Sequence, residues 1–109
     1  MGHAIRAIID NSENVTMSGD LTLDTAGKGI KVKEGSNATM GAAVLVVGTV
    51  TVSTTKVTAN SRIFLTSNAD GGTTAALRVS ARSAGASFTI TSLSALDTST
   101  VAWLIVEPS

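Results

Sequence analysis

Hydrophobic and polar positions alternate with a period of two along much of this chain. Leu21 and Leu23, Ile30 and Val32, Val50 and Val52, Leu77 and Val79, and Phe88 and Ile90 each mark one side of an extended backbone, with polar residues between them. Such alternation is the pattern of a half-buried β-strand. Turn signals separate the segments at Ser18-Gly19, Gly27 to Gly29, Gly35 with Ser36 and Asn37, Gly48, Asp70-Gly71-Gly72 and Ala84-Gly85-Ala86. The pattern predicts strands over 4–9, 20–25, 29–33, 42–47, 49–54, 61–67, 75–82, 87–92 and 100–106. No segment carries a sustained helical stripe, although a short helix over 93–98 is an alternative. The expected fold is an all-β, antiparallel β-sandwich of jelly-roll type.

Two stretches depart from one-sided alternation. Ala42 to Val47 and Val101 to Val106 are apolar on both faces. A sandwich strand has only one inner face, so its second apolar face calls for cover by another subunit; a closed barrel or a third layer is the alternative. A homo-oligomer, with a trimer as the expected state, follows from the first reading. Trp103, Leu104 and Val106 on the final strand are its interface candidates, with Trp103 placed preferentially in the core.

Residues 1–19 form a region distinct from the sandwich expected over 20–109. Ile5, Arg6, Ile8 and Ile9 precede a polar run from Asp10 to Asn14. They make either an arm that pairs with a neighbour or simply the first strand. This N-terminus has neither the long apolar stretch nor the cleavage site of a signal peptide.

Composition strengthens the case for association. The chain has 109 residues, enough for one domain, and is 43% hydrophobic but only 3% aromatic. Its core is therefore built from Val, Ile, Leu and Ala, without the large burial that aromatic rings supply. Ser and Thr make up roughly a quarter of the chain and lie between β-branched residues. Eight basic and eight acidic residues cancel, which disfavours nucleic acid and anionic membrane surfaces as partners. The longest apolar run is far too short to span a bilayer.

Candidate chemistry is sparse. Without cysteine there are no disulfides or thiolate sites. His3 is the only histidine and has no companion for a metal site or a triad. The acidic residues are spread singly without calcium-loop spacing. Thr25 to Gly29 is superficially like a phosphate loop but lacks its spacing and reads as a β-turn. No catalytic, metal or cofactor site is expected, and the chain reads as a non-enzymatic module. Arg62, Arg78 and Arg82 complete the interface candidates, since guanidinium groups are enriched at interface centres.

Five ordered blocks carry a resemblance. They are Gly29 to Gly41, Gly48-Thr49-Val50-Thr51-Val52, Ser61-Arg62-Ile63-Phe64-Leu65-Thr66, Ala81 to Ser92, and Asp97 to Pro108. Together, over about residues 20–108, the chain resembles a C-terminal module of tailed-bacteriophage tail fibres, tail spikes and related virion surface proteins. The resemblance implies a β-sandwich, commonly trimeric, on the surface of a particle assembled in a bacterial cytoplasm, with no catalytic residues to carry over. Because only about twenty residues precede the resembling region, a head decoration protein that binds the major capsid protein or another virion protein is the first expectation. A tail-fibre or tail-spike tip that binds a host surface glycan, for instance through the loop from Ser67 to Thr74, is the alternative.

Overall fold

The computed structural model describes residues 14–109. The chain divides into two compact units, residues 1–30 and 31–109. Within the described part of the first unit all residues are exposed and none forms a strand. The Lys28 amide donates to the Thr25 carbonyl at 3.2 Å, and Gly27 takes a φ of 86°. The expected turn therefore forms, but the strands expected over 20–25 and 29–33 do not. Alternation gives a segment a face; a strand also needs backbone partners, and no ladder includes residues 14–33. The strand expected over 4–9 lies outside the described residues.

The second unit contains six strands: β1 (Met40–Val44), β2 (Thr49–Ser53), β3 (Arg62–Ala69), β4 (Leu77–Ser83), β5 (Ser87–Ser92) and β6 (Thr100–Val106). They form two antiparallel three-stranded sheets, ordered β1-β6-β3 and β2-β5-β4. The fold is all-β and consistent with a β-sandwich. Six strands among the described residues are fewer than the eight of a jelly roll. The segment 93–98 is not helical: Ser92 and Ser94 hydroxyls accept from the Ser94 and Leu96 amides and hold it as a turn.

Only β4 and β5 are consecutive neighbours in one sheet; every other connection passes between the sheets. The chain thus laces the layers together at each crossing. Central strands β5 and β6 supply the inner residues Phe88 and Ile90 and Val101, Trp103 and Ile105, all buried. Leu45 and Val57, from segments between strands, complete the core, and Val50, Val52, Ile63, Leu65, Leu77 and Val79 pack against it.

Phe88 and Trp103 meet across the layers, with ring centroids 5.3 Å apart and planes at 77°. An edge-to-face pair of this kind adds about 0.5–1.5 kcal/mol beyond area burial. The indole fits because Gly41, directly opposite on β1, has no side chain: a Cβ there would lie 2.7 Å from Trp103 Cζ2. The indole N–H is buried without an acceptor among the described residues, an arrangement that costs about 1–3 kcal/mol.

Gly41→Ala should therefore destabilise the domain by about 1–3 kcal/mol through overpacking. The penalty should shrink in a Trp103→Phe background, where the smaller ring leaves room. Chemical denaturation of the two single variants and the double variant measures this coupling; an equal penalty in both backgrounds would show that the indole is not the obstacle.

Candidate functional site

The two sheets turn chemically different outer faces to the surroundings. On β1-β6-β3, register places Met40, Leu104 and Phe64 in one row and Ala42, Ala102 and Thr66 in the next. Val44 and Val106 extend this apolar surface, and Phe64 is 59% exposed. Met40, Phe64, Thr66, Ala102 and Leu104 line a shallow groove of about 200 Å³. Both faces of β6 are thus apolar, as the sequence pattern demanded, but only the inner one is covered within the chain.

The apolar surface continues beyond β1. Val46 and Thr49 exchange amide–carbonyl hydrogen bonds of 2.9 and 3.1 Å, closing a two-residue turn with positive φ at Val47 (53°) and Gly48 (74°). Gly48 suits this conformation, and a Cβ there would strike the Ser94 carbonyl. Val47 does not: a β-branched residue in the left-handed region is strained by about 1–3 kcal/mol. Its side chain is 70% exposed. Beside this turn, in the loop containing Ser94 and Ala95, Leu93 and Leu96 are also exposed. An uncharged apolar tip, built on strained backbone, therefore adjoins the apolar face.

The outer face of β2-β5-β4 is covered with hydroxyls instead. Thr49 lies opposite Thr91 and Thr51 opposite Thr89, with hydroxyl oxygens 3.3 and 3.1 Å apart. Arg78 stands opposite Thr91 on the other side, as alternation predicts. A register shift between Val79 and Ala81 then reverses the alternation of β4. Arg82 consequently pairs with the buried Phe88 on the inner side, and its guanidinium reaches out to the Ser61 and Thr58 carbonyls at 2.8 and 3.4 Å. Sequence spacing alone could not reveal this reversal, because the bulge residue Ser80 reads as an ordinary strand position.

The remaining candidates separate. Arg62 is exposed at the start of β3 opposite Val106, with its guanidinium bound to the Asn60 carbonyl at 2.6 Å. Trp103 lies in the core; Leu104 and Val106 lie on the outer apolar face. Ile5, Arg6, Ile8 and Ile9 fall outside the described residues.

Two carboxylates missed as organising groups fasten the ends of the sandwich. Glu107 accepts hydrogen bonds from the Ser61 and Thr58 hydroxyls. The Ser61 bond above all, then the Thr58 bond and the Arg62 and Arg82 charges, hold its carboxyl below the usual range. Asp97 is buried and accepts from Ser92 Oγ at 2.7 Å, the Ser99 amide at 3.0 Å and the Ala75 amide at 3.3 Å. Hydrogen bonds from Ser99 and then Ser92 outweigh desolvation and lower its pKa from 3.8 to about 2. The neighbouring Gly71 amide and carbonyl bind Ser99 Oγ and the Thr98 amide. The segment from Ser67 to Thr74 is thus held against residues 96–99 through Gly71 and Thr73.

Among the described residues no group of three or more His, Cys, Asp or Glu side chains is placed to hold a metal ion. No helix there is long and apolar enough to cross a membrane.

Because the folded pKa of Asp97 lies below the unfolded one, its stabilisation is complete above about 3.8 and disappears as pH falls through about 2. The Tm should decline on acidification across that window. Asp97→Asn should be less stable than the wild type at pH 7 and should show a flatter acid decline, as measured by thermal melts from pH 7 to 2.

No curated protein and no solved structure matches the chain. The family model of the K1 capsule-specific polysaccharide lyase C-terminal domain matches residues 37–106, a span that begins just before β1 and ends with β6. This match supports the tail-spike alternative and gives no support to the head-decoration reading, which rested on the shortness of the preceding segment. The chain belongs to this C-terminal domain family and is a virion-associated module of the phage tail-spike type.

Proposed function

We propose that the chain is a non-catalytic assembly module at the C-terminal end of a phage tail spike, joining three copies through the outer face of the β1-β6-β3 sheet. The observation that carries this reading is the outer-face apolar row of the half-buried Met40 and Leu104 and the exposed Phe64, followed by the exposed Val44 and the strained turn at Val47. A contiguous apolar surface of this kind is characteristic of a protein interface. Family membership supplies the setting, since the matched model is the C-terminal domain of a polysaccharide lyase. In such a protein the module's contribution is to hold the copies together, with cleavage carried out elsewhere in the polypeptide. Its surroundings would then be polysaccharide.

Light scattering of the isolated chain at micromolar concentration should give the mass of three chains. Leu104→Asp, which introduces a charge at the centre of the face, should yield folded monomers with an unchanged far-ultraviolet spectrum. Thr51→Asp on the opposite sheet should leave the assembly intact. A wild-type chain that remains monomeric at high concentration would remove the proposal.

A further inference from the structure

Resting on the assembly reading above, we infer that the copies join tip to groove: the Val47 turn of one copy seats in the apolar groove on the outer β1-β6-β3 face of the next. Each surface thus takes as its partner a different surface of a second copy. Symmetry, chemistry and backbone strain select this pairing.

A face that packs on its own equivalent makes a two-fold pair, whereas a ring of three needs two different, complementary surfaces on every copy. The groove lined by Met40, Phe64, Thr66, Ala102 and Leu104 is one of them. It is a hollow, so a second hollow cannot fill it, and its complement must be a projecting apolar group. An enclosed cavity of about 150 Å³ accepts a molecule of the size of benzene. A groove of about 200 Å³ therefore has room for a branched aliphatic side chain.

The tip supplies such a group. The Val46–Thr49 turn rests against the Ser94 and Ala95 backbone, and the Ser92 amide donates to the Gly48 carbonyl at 2.8 Å. Val46, Val47, Leu93 and Leu96, all exposed, are thereby gathered at one end of the second unit. Residues 44–49 and 92–96 include no charged side chain. The exposed apolar side chains of residues 14–33 do not match the groove in this way, because Leu21, Leu23 and Ile30 stand beside Asp20, Asp24 and Lys31. Seating that segment on an uncharged groove would strip water from charges without pairing them.

Strain marks the same residue. Two successive central residues at positive φ are accommodated best by Asn-Gly, but the first of them here is Val47, at a φ of 53°. An exposed side chain recovers little of that strain by packing within its own chain. Burial against a neighbouring copy recovers it.

The chain has no cysteine, so a pair introduced by substitution reports this contact alone. Oxidised Val47→Cys/Phe64→Cys chains should run as covalent dimers and trimers on a non-reducing gel. Val47→Cys alone, Phe64→Cys alone and Val47→Cys/Thr51→Cys should run as monomers. Val47→Asn gives an independent readout that a purely structural role would not produce. In the monomeric Leu104→Asp background it should raise the Tm by about 4 °C by easing the turn, and in the wild-type background it should weaken association about ten-fold. Trimers of the double-cysteine variant that fail to cross-link, a single-cysteine variant that cross-links as fully as the pair, or a Val47→Asn chain that associates as tightly as wild type would each overturn the tip-to-groove contact and leave the trimer standing. A wild-type chain that stays monomeric defeats the assembly proposal and this inference together.

Discussion

The contact between Phe88 and Trp103 is the constraint around which the sandwich is organised. Each ring sits on the central strand of its own sheet, and the chain contains only one other aromatic residue, Phe64, whose side chain is exposed. The two layers are therefore held at one aromatic contact, with aliphatic side chains filling the space around it. The other features of the interior follow from making room for it. Gly41 leaves its side-chain volume to the indole, and the indole N–H goes without an acceptor among the described residues. With so few rings to bury, the domain compensates at its ends. Asp97 and Glu107 gather hydroxyl and amide donors and tie loops to strands where apolar packing runs out.

Because the core uses one face of each sheet, function must be sought on the other two. These differ as sharply as two faces of one small domain can. One bears Met, Leu, Phe and Val and runs into an uncharged tip; the other bears Thr, Ser and the exposed Arg78. The first face gains by leaving water, and the second gains by keeping it or by exchanging it for another hydroxylated surface. A spike module with this division can associate through one sheet while presenting the other outward. Backbone strain at Val47 fits the same logic. A turn that requires two left-handed residues would be eased by Asn or Gly, and retaining an exposed Val there sacrifices local stability for apolar surface.

Much of this architecture was legible in the chain. Strands β2, β5 and β6 lie close to where alternation placed them, and β3 and β4 overlap their expected spans. The two-sided apolar pattern of β6 announced an uncovered face before any sheet was assembled. The strands expected over 20–25 and 29–33 show the limit of the method. Their alternation is as regular as that of β2, but pattern records only which face would be buried and contains no information on whether a backbone partner is present.

Sequence by itself determined the class of fold, the scarcity of rings in the core, and the presence of both apolar and hydroxyl-rich strand faces, because period-two alternation and composition are local properties. Tertiary structure decided which faces belong together. The bulge in β4 turned Arg82 inward and left Arg78 outside. Pairing of β1 and β3 with β6 collected Met40, Leu104 and Phe64 into one row, and pairing of β2 with β5 set Thr49 and Thr51 against Thr91 and Thr89. The physical reason is that register and sheet order depend on contacts between residues far apart in the chain, and a single shift of one residue exchanges the inside of a strand for its outside.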